Sequence, residues 1–306
     1  MAMSFLKDKI ISILCFILIP IWSMAQQHTQ FSNYLLNSVI INPGYAGSKS
    51  GTELMASYRR QWSNIEGSPT TFSASGHGLL ANKKIGVAGV LLKDQIGVSD
   101  NLFLSVGASY RLKFNQYSLQ FGLNGGFEAH KTNYGQISTI EDNDEAFLGS
   151  SSYFYKPIVG TGLYLFDERF YFGLSSPNLL QLSDGTGNSF HKKRHYYISS
   201  GKVFTLSQKV KVRPSFLAKF TSAAPVQFDL SGAVIWNELI SGGLSYRTHA
   251  GVIWFIHVFI NPKWTVAYAY DQMTNNLSSI DGGTHEITVI HNLRKNQKTI
   301  YSPRYF

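Results

Sequence analysis

From about residue 52 onward the chain alternates between apolar and polar or small positions. In NLFLSVGASYR, residues 101–111, Leu102, Leu104, Val106, Ala108 and Tyr110 fall on one face, and Phe103, Ser105, Gly107, Ser109 and Arg111 on the other. In VQFDLSGAVIW the apolar face holds Val226, Phe228, Leu230, Val234 and Trp236, opposite Gln227, Asp229 and Ser231. In WTVAYAYD, Trp264, Val266, Tyr268 and Tyr270 oppose Thr265, Ala267, Ala269 and Asp271. A period of two marks strands with one apolar face. Followed along the whole chain, it predicts about 14 strands, over 52–61, 70–78, 85–94, 101–113, 117–131, 157–166, 170–175, 195–204, 210–220, 226–236, 239–246, 250–260, 264–271 and 283–292. Most approach the roughly 9–11 residues that a tilted membrane-spanning strand needs.

The connections sharpen this picture. Short links (FNQ, DER, LSQK, NE, NPK) alternate with longer ones (WSNIEGSP, 132–156, 176–194, DQMTNNLSSIDGG). That is the order of a bacterial outer-membrane barrel, with short periplasmic turns and long outer loops. Trp62, Trp236, Trp254 and Trp264 stand near predicted strand ends, where an aromatic girdle belongs.

Composition points the same way. Charged residues make up 15% of the chain and aromatics 14%, with 17 Tyr and 21 Phe. Soluble domains carry about 25% charged residues, so part of this surface is expected to face something other than water. No apolar run after residue 25 is long enough for a membrane helix, which leaves a closed barrel. A soluble sandwich would explain the alternation but not the low charge, the even strand lengths or the loop order. The expected fold is therefore all-β: one antiparallel transmembrane barrel.

The first residues add a compartment. Lys7 and Lys9 precede an apolar run from Ile10 to Trp22, then Ser23-Met24-Ala25, the pattern of a secretory signal peptide over 1–25. The run falls short of the roughly 20 residues of a spanning helix. The single cysteine, Cys15, lies inside that run and not at the cleavage position, so a lipoprotein anchor does not fit. A mature chain without cysteine excludes disulfides, thiol nucleophiles and cysteine-based zinc sites. Removing the leader takes away Lys7, Asp8 and Lys9 and leaves a formal charge of +8. The expected division is 1–25 leader, 26–50 N-terminal segment, 51–293 barrel and 294–306 periplasmic tail.

Between leader and first strand lies QFSNYLLNSVIINPGYAGS, residues 30–48. It is apolar enough for a core, yet punctuated by Asn33, Asn37, Asn42, Pro43, Gly44 and Gly47. This stretch resembles the N-terminal signature of the PorP/SprF family of Bacteroidota outer-membrane proteins. The resemblance continues through RRQW (59–62), EGSPTTFSASGHGLL (66–80), GVAGVLLKDQIGVSD, YFGLSSPNLL (171–180), PSFLAKF, APVQFDLSGAV, GLSYRT, AYAYD and GGTHEITV, in the family's order. Gly44 departs from the family's usual alanine, and VIHNL stands where an aromatic, acidic strand end is common. The resemblance implies a role in the type IX secretion system and, in gliding relatives, in delivering or holding surface adhesins. The implied partners are a secreted cargo protein with a type IX C-terminal domain and translocon or periplasmic ring components.

Candidate chemistry follows from the barrel. Phe31, Tyr34, Leu35, Leu36, Val39, Ile40 and Ile41 precede the first strand and need cover. Residues 27–48 are therefore expected to fold into the lumen, or across the periplasmic mouth, as a plug or partner-binding segment. Phe31, Tyr34, Asn37, Asn42, Pro43, Tyr45 and Gly47 are its key positions, the asparagines serving backbone groups shut off from water. Glu128 and His130 should point into the lumen, facing Arg111. Arg59, Lys219 and Asp229 are expected in lumenal ion pairs. Asp94, Asp100, Asp271, His249 and His285 read as solvated loop residues.

The carboxylate run EDNDE (141–145) lacks calcium-loop spacing and reads as a solvated tip. HKKRH (191–195) is a candidate contact for anionic lipopolysaccharide. The tail RKNQKTIYSPRYF could dock on a periplasmic partner. No catalytic motif, metal site or cofactor is expected, and no nucleic-acid partner, since no binding module accompanies the positive charge. Besides an adaptor, a passive or hydrophobic-solute channel and a hydrolase at the outer rim remain open.

Overall fold

The computed structural model describes residues 30–49, 51–81, 83–133, 153–180, 194–222, 224–274, 280–293 and 306. The expected leader, the 141–145 carboxylates, residues 191–193 and the tail up to 305 lie outside the described residues.

The alternating segments form strands β1 (Thr52–Arg60), β2 (Thr70–Leu79), β3 (Ile85–Ile96), β4 (Ser99–Phe114), β5 (Tyr117–Thr132), β6 (Phe154–Phe166) and β7 (Phe170–Ser176). They continue as β8 (His195–Lys202, resuming at Phe204–Thr205), β9 (Val210–Thr221), β10 (Gln227–Trp236) and β11 (Ile240–Arg247). β12 (Gly251–Phe259), β13 (Trp264–Met273) and β14 (Thr284–Leu293) complete the set. Both pieces of β8 pair with β9, so they are one strand, interrupted where the Val203 amide turns to the Arg169 carbonyl at 2.7 Å. Each strand pairs antiparallel with its neighbours in sequence. β1 pairs with β14, Thr52 opposite Leu293 and Arg60 opposite His285, which closes a barrel of 14 strands.

Closure sorts the two faces. Leu54, Tyr58, Val106, Tyr110, Leu230, Trp236 and Trp254 are exposed on the outside, while Ser57, Ser73, Ser105, Ser109, Ser231 and Ser245 are buried on the inside. An apolar exterior around a polar interior is the inverse of a soluble protein and suits lipid. Among the described residues no helix is long and apolar enough to cross a membrane.

The connections form two rims. At one rim the strand ends are those that flank 80–84, 115–116, 167–169, 206–209, 237–239 and 260–263 in the sequence; at the other, those that flank 61–69, 97–98, 133–153, 177–194, 222–226, 248–250 and 274–283. The second is the long-loop rim, and in outer-membrane barrels such loops face outward. The expected alternation of lengths has two exceptions there, 97–98 and 248–250. At the first, β3 and β4 run on beyond their predicted ends and meet in a tight turn in which Gly97 takes φ +54°.

Residues 30–48 are buried almost throughout. They contain a short helix α1 (Ser38–Ile41) and a 3-10 turn (Pro43–Tyr45). The Asn42 side chain accepts the Gly44 amide at 2.8 Å, and Pro43 starts the turn where an N–H would lack a partner. Gly47 (φ +68°) then bends the chain toward β1.

Candidate functional site: the barrel interior

Among the described residues, charges, asparagines and apolar side chains from distant strands converge in the interior, and residues 30–48 run through it. At the long-loop end, inward positions of β1, β9, β10, β11, β13 and β14 bring together Arg59, Lys219, Asp229, Arg247, Asp271 and Glu286. Asp229, fully buried, accepts from both Arg247 Nε (3.0 Å) and Nη2 (2.9 Å) and pairs with Lys219 Nζ at 2.9 Å. Arg59 pairs with Asp271 at 2.8 Å and Glu286 at 3.3 Å, and Arg247 approaches Asp271 at 3.7 Å. Three cations face three carboxylates, so the cluster is neutral, as burial at this depth demands.

This cluster grips the N-terminal segment. Glu286 accepts the Ser32 amide at 2.7 Å and the Asn33 amide at 3.1 Å. Arg247 donates to the Phe31 carbonyl at 3.1 Å. The Ser32 hydroxyl donates to Asp271 and accepts from Arg59. Gln30 donates to Gln227 at the start of β10, at 3.1 Å.

Further along the segment the partners change. Tyr34 OH lies 3.5 Å from Ser231 Oγ. Asn37 Oδ1 accepts from Ser75 Oγ at 3.0 Å, and the Asn42 amide donates to the Leu163 carbonyl at 2.9 Å. Phe31, Tyr34, Leu35, Val39, Ile40, Ile41 and Tyr45 join one apolar cluster with inward residues such as Val90, Phe103, Ile158 and Leu217. Each such side chain contributes about 1.5–3 kcal/mol on burial.

At the short-turn end the backbone itself lies against the wall. A Cβ on Gly86 would stand 2.0 Å from the Ala46 carbonyl oxygen, and one on Gly122 2.2 Å from the Pro43 carbonyl carbon. These inward glycines leave room that any side chain would fill. Arg111 donates to the carbonyls of Gly47 and Ser48 (the latter 3.0 Å) and lies over the Phe166 ring. The Gly47 amide donates to His77 Nδ1 at 3.2 Å. The Tyr45 ring packs edge-on against His77 and Tyr164, and its hydroxyl donates to the Phe306 carbonyl at 2.9 Å. Phe306, the last residue of the expected periplasmic tail, is buried, its ring 4.5 Å from that of Tyr171.

Several expected neighbours do not meet. Glu128 stands opposite Phe103 and Lys156, whereas Arg111 stands opposite Gln120. Eight residues of β5 separate the two levels, about 26 Å at the usual strand rise, so Arg111 serves the segment's carbonyls and not Glu128 or His130. His130 Nδ1 contacts Asn101 at 2.5 Å. Asp271, read as a solvated loop residue, is buried in the ion cluster, and Asp94 is buried beside Thr71 at 2.5 Å. Arg247 and Glu286 were not singled out, although both share the inward phase of Ser245 and Thr288. Among the described residues, no group of three or more His, Cys, Asp or Glu side chains could hold a metal.

Comparison with known proteins adds the family. Among solved structures, the chain resembles the Acinetobacter baumannii outer membrane protein Omp33 at 10% identity and TM-score 0.49, over 81% of this chain and 100% of that one. It resembles a Pseudomonas aeruginosa FadL homologue at 8% identity and TM-score 0.46, over 83% and 93%. A TodX deletion mutant, described as a monoaromatic hydrocarbon channel, matches at 8% identity and TM-score 0.47, over 86% and 93%. No curated protein sequence matches. The sequence model of the type IX secretion system membrane protein PorP/SprF matches residues 23–291. With nearly the whole barrel and its N-terminal segment inside that match, this outer-membrane protein belongs to the PorP/SprF family of the type IX secretion system.

Proposed function

We propose that this barrel is a non-enzymatic adaptor or anchor of type IX secretion. It fixes a platform in the outer membrane on which a secreted protein with a type IX C-terminal domain is held or presented, while translocon or periplasmic ring components engage the opposite face. Residues 30–48 are its plug. The observation that carries this reading is the continuous filling of the lumen, from the Arg59–Asp271–Glu286 cluster at one end to Arg111 and Tyr45 at the other. A lumen so occupied does not conduct a folded or extended cargo, and at 14 strands the barrel is narrower than the 16–18-stranded porins that enclose an aqueous channel. The apolar exterior sits in lipid. Lys131 over Tyr153 (5.5 Å) and Lys156 over Phe154 (5.1 Å) add basic and aromatic groups near the long-loop rim, suited to lipopolysaccharide.

The test is capture from outer membranes under mild crosslinking, followed by mass spectrometry. Because Phe306 is buried, the affinity tag belongs in the exposed 206–209 turn and not at the end of the sequence. Co-recovery of one large secreted protein supports a cargo-dedicated anchor, and co-recovery of ring components supports coupling to the machinery. Recovery of neither, with steady single-channel conductance of the purified barrel, would replace the adaptor by the passive or hydrophobic-solute channel.

A further inference from the structure

The partners of residues 30–48 have a direction. Gln30 meets Gln227, the first residue of β10 at the long-loop rim; Gln227 in turn donates to the carbonyl of Thr248, in the turn on that same rim. Phe31, Ser32 and Asn33 meet Arg247, Asp271 and Glu286, all within three residues of that rim. Asn37 meets Ser75 in the middle of β2. Ala46 and Gly47 meet Ser109, Gln120, Arg111 and His77, near the opposite ends of β4, β5 and β2. Lys49 pairs with Glu53 at 2.9 Å, and β1 starts beside it at the short-turn rim.

A chain that merely capped the periplasmic mouth would contact inward residues at one level only. This one contacts successive levels, and the inward positions Arg59 and Glu53 that it reaches are six residues apart on one strand, about 20 Å. We infer that the segment enters the lumen from the long-loop side and runs down it to β1, so that Gln30 stands at the outer, cell-surface rim.

The consequence concerns the interaction surface. At the same rim the 61–69 and 274–283 connections are tied to each other: the Ser63 amide donates to the Gly283 carbonyl at 3.0 Å, its hydroxyl to the Gly282 carbonyl at 2.9 Å, and the Trp62 amide to Thr284 Oγ1 at 3.2 Å. Gln30 and these joined loops therefore share one rim, and on the proposed function it is the rim offered to a secreted partner. The inference rests on the outward orientation of the long loops used in the proposed function, but not on any partner being found.

The test uses engineered cysteines in the full chain, with Cys15→Ala removing the only natural one. Two variants, Gln30→Cys and Lys49→Cys, probe the two ends of the segment, and both positions are half-buried. Intact cells are treated with a membrane-impermeant maleimide, and a second sample is treated after permeabilising the outer membrane. Gln30→Cys is expected to label on intact cells and Lys49→Cys only after permeabilisation. Labelling of Lys49→Cys but not Gln30→Cys on intact cells would overturn the inference.

Burial could also silence Gln30→Cys, so a second measurement reads placement directly. A short bis-maleimide is expected to join Gln30→Cys to Gln227→Cys within one molecule, and not to join Gln30→Cys to Asn115→Cys, in the β4–β5 turn at the short-turn rim, with digestion and mass spectrometry as the readout. Crosslinking to position 115 instead, or to neither, would refute the threading whatever the pulldown finds.

Discussion

The two ends of the lumen hold the same segment by different physics. At the long-loop end the wall supplies charges: the Glu286 carboxylate accepts the Ser32 and Asn33 amides, and Arg247 reaches the Phe31 carbonyl. At the short-turn end it supplies absence of side chains, with Gly86 and Gly122 letting the backbone of 43–46 lie directly on the strands, while Tyr45 sits among His77, Tyr164 and Phe306. The first grip depends on mutual compensation among buried ions, which has no half-way state. The second depends on shape. The outer end should therefore respond to a change of charge and the inner end to a change of volume.

Removing a charge should have the largest effect. Asp229→Asn leaves Lys219 and Arg247 facing each other in a buried site, with Asp271, 3.7 Å from Arg247, and Glu286 as the carboxylates that remain in the cluster. Breaking a buried pair in this way costs about 3–5 kcal/mol, read as a drop in the urea midpoint of the barrel in lipid vesicles. The double variant Lys219→Met with Asp229→Asn should be less destabilised than Asp229→Asn alone, since one orphaned charge is removed along with its partner. A double variant that is worse than the single would show that the cluster is not charge-compensated as described.

The inner end should respond to a single methyl group. Gly122→Ala places its Cβ against the backbone of Pro43 and Gly44 at 2.2–2.4 Å, where no flexible side chain can yield. Overpacking typically costs about 1–3 kcal/mol. Here the strain falls on the segment and not on the ladder, so protease should cut near residues 42–48 while the β-sheet circular dichroism is kept. Loss of the sheet signal together with the cut would mean that barrel and segment form one cooperative unit.

Much of this was legible in the alternation, and what was not has a definite reason. Period two assigns each residue to a face, so Arg59, Lys219 and Asp229 could be read as lumenal. It does not assign height around a closed barrel, which is why Glu128 was paired with Arg111 although eight strand residues divide their levels. Strand ends hid two members of the ion cluster. Arg247 lies one residue beyond the expected 239–246 strand, and Asp271 is the last residue of its expected strand, where a loop residue is indistinguishable from a strand residue, whereas β13 continues to Met273. The segment's apolar residues announced a need for cover. Its direction through the lumen was not encoded in any local pattern, because it is set by which distant strands present carboxylates and which present glycines.

The smallest effect we expect comes from one hydroxyl. Tyr45→Phe keeps the ring against His77 and Tyr164 and removes only the hydrogen bond to the Phe306 carbonyl. A single hydrogen bond contributes about 1 kcal/mol, more where the acceptor is charged, and the Phe306 oxygen left behind sits in a buried place, so the loss should be measurable. Phe306 also stacks edge-on with Tyr171, which the substitution leaves intact. The informative comparison is therefore with Tyr171→Leu, which removes the aromatic contact and keeps the hydroxyl bond. If Tyr45→Phe frees the chain end to carboxypeptidase while Tyr171→Leu does not, the hydrogen bond closes the short-turn end of the lumen. If the order is reversed, the aromatic stack does, and Tyr45 serves chiefly to root the segment.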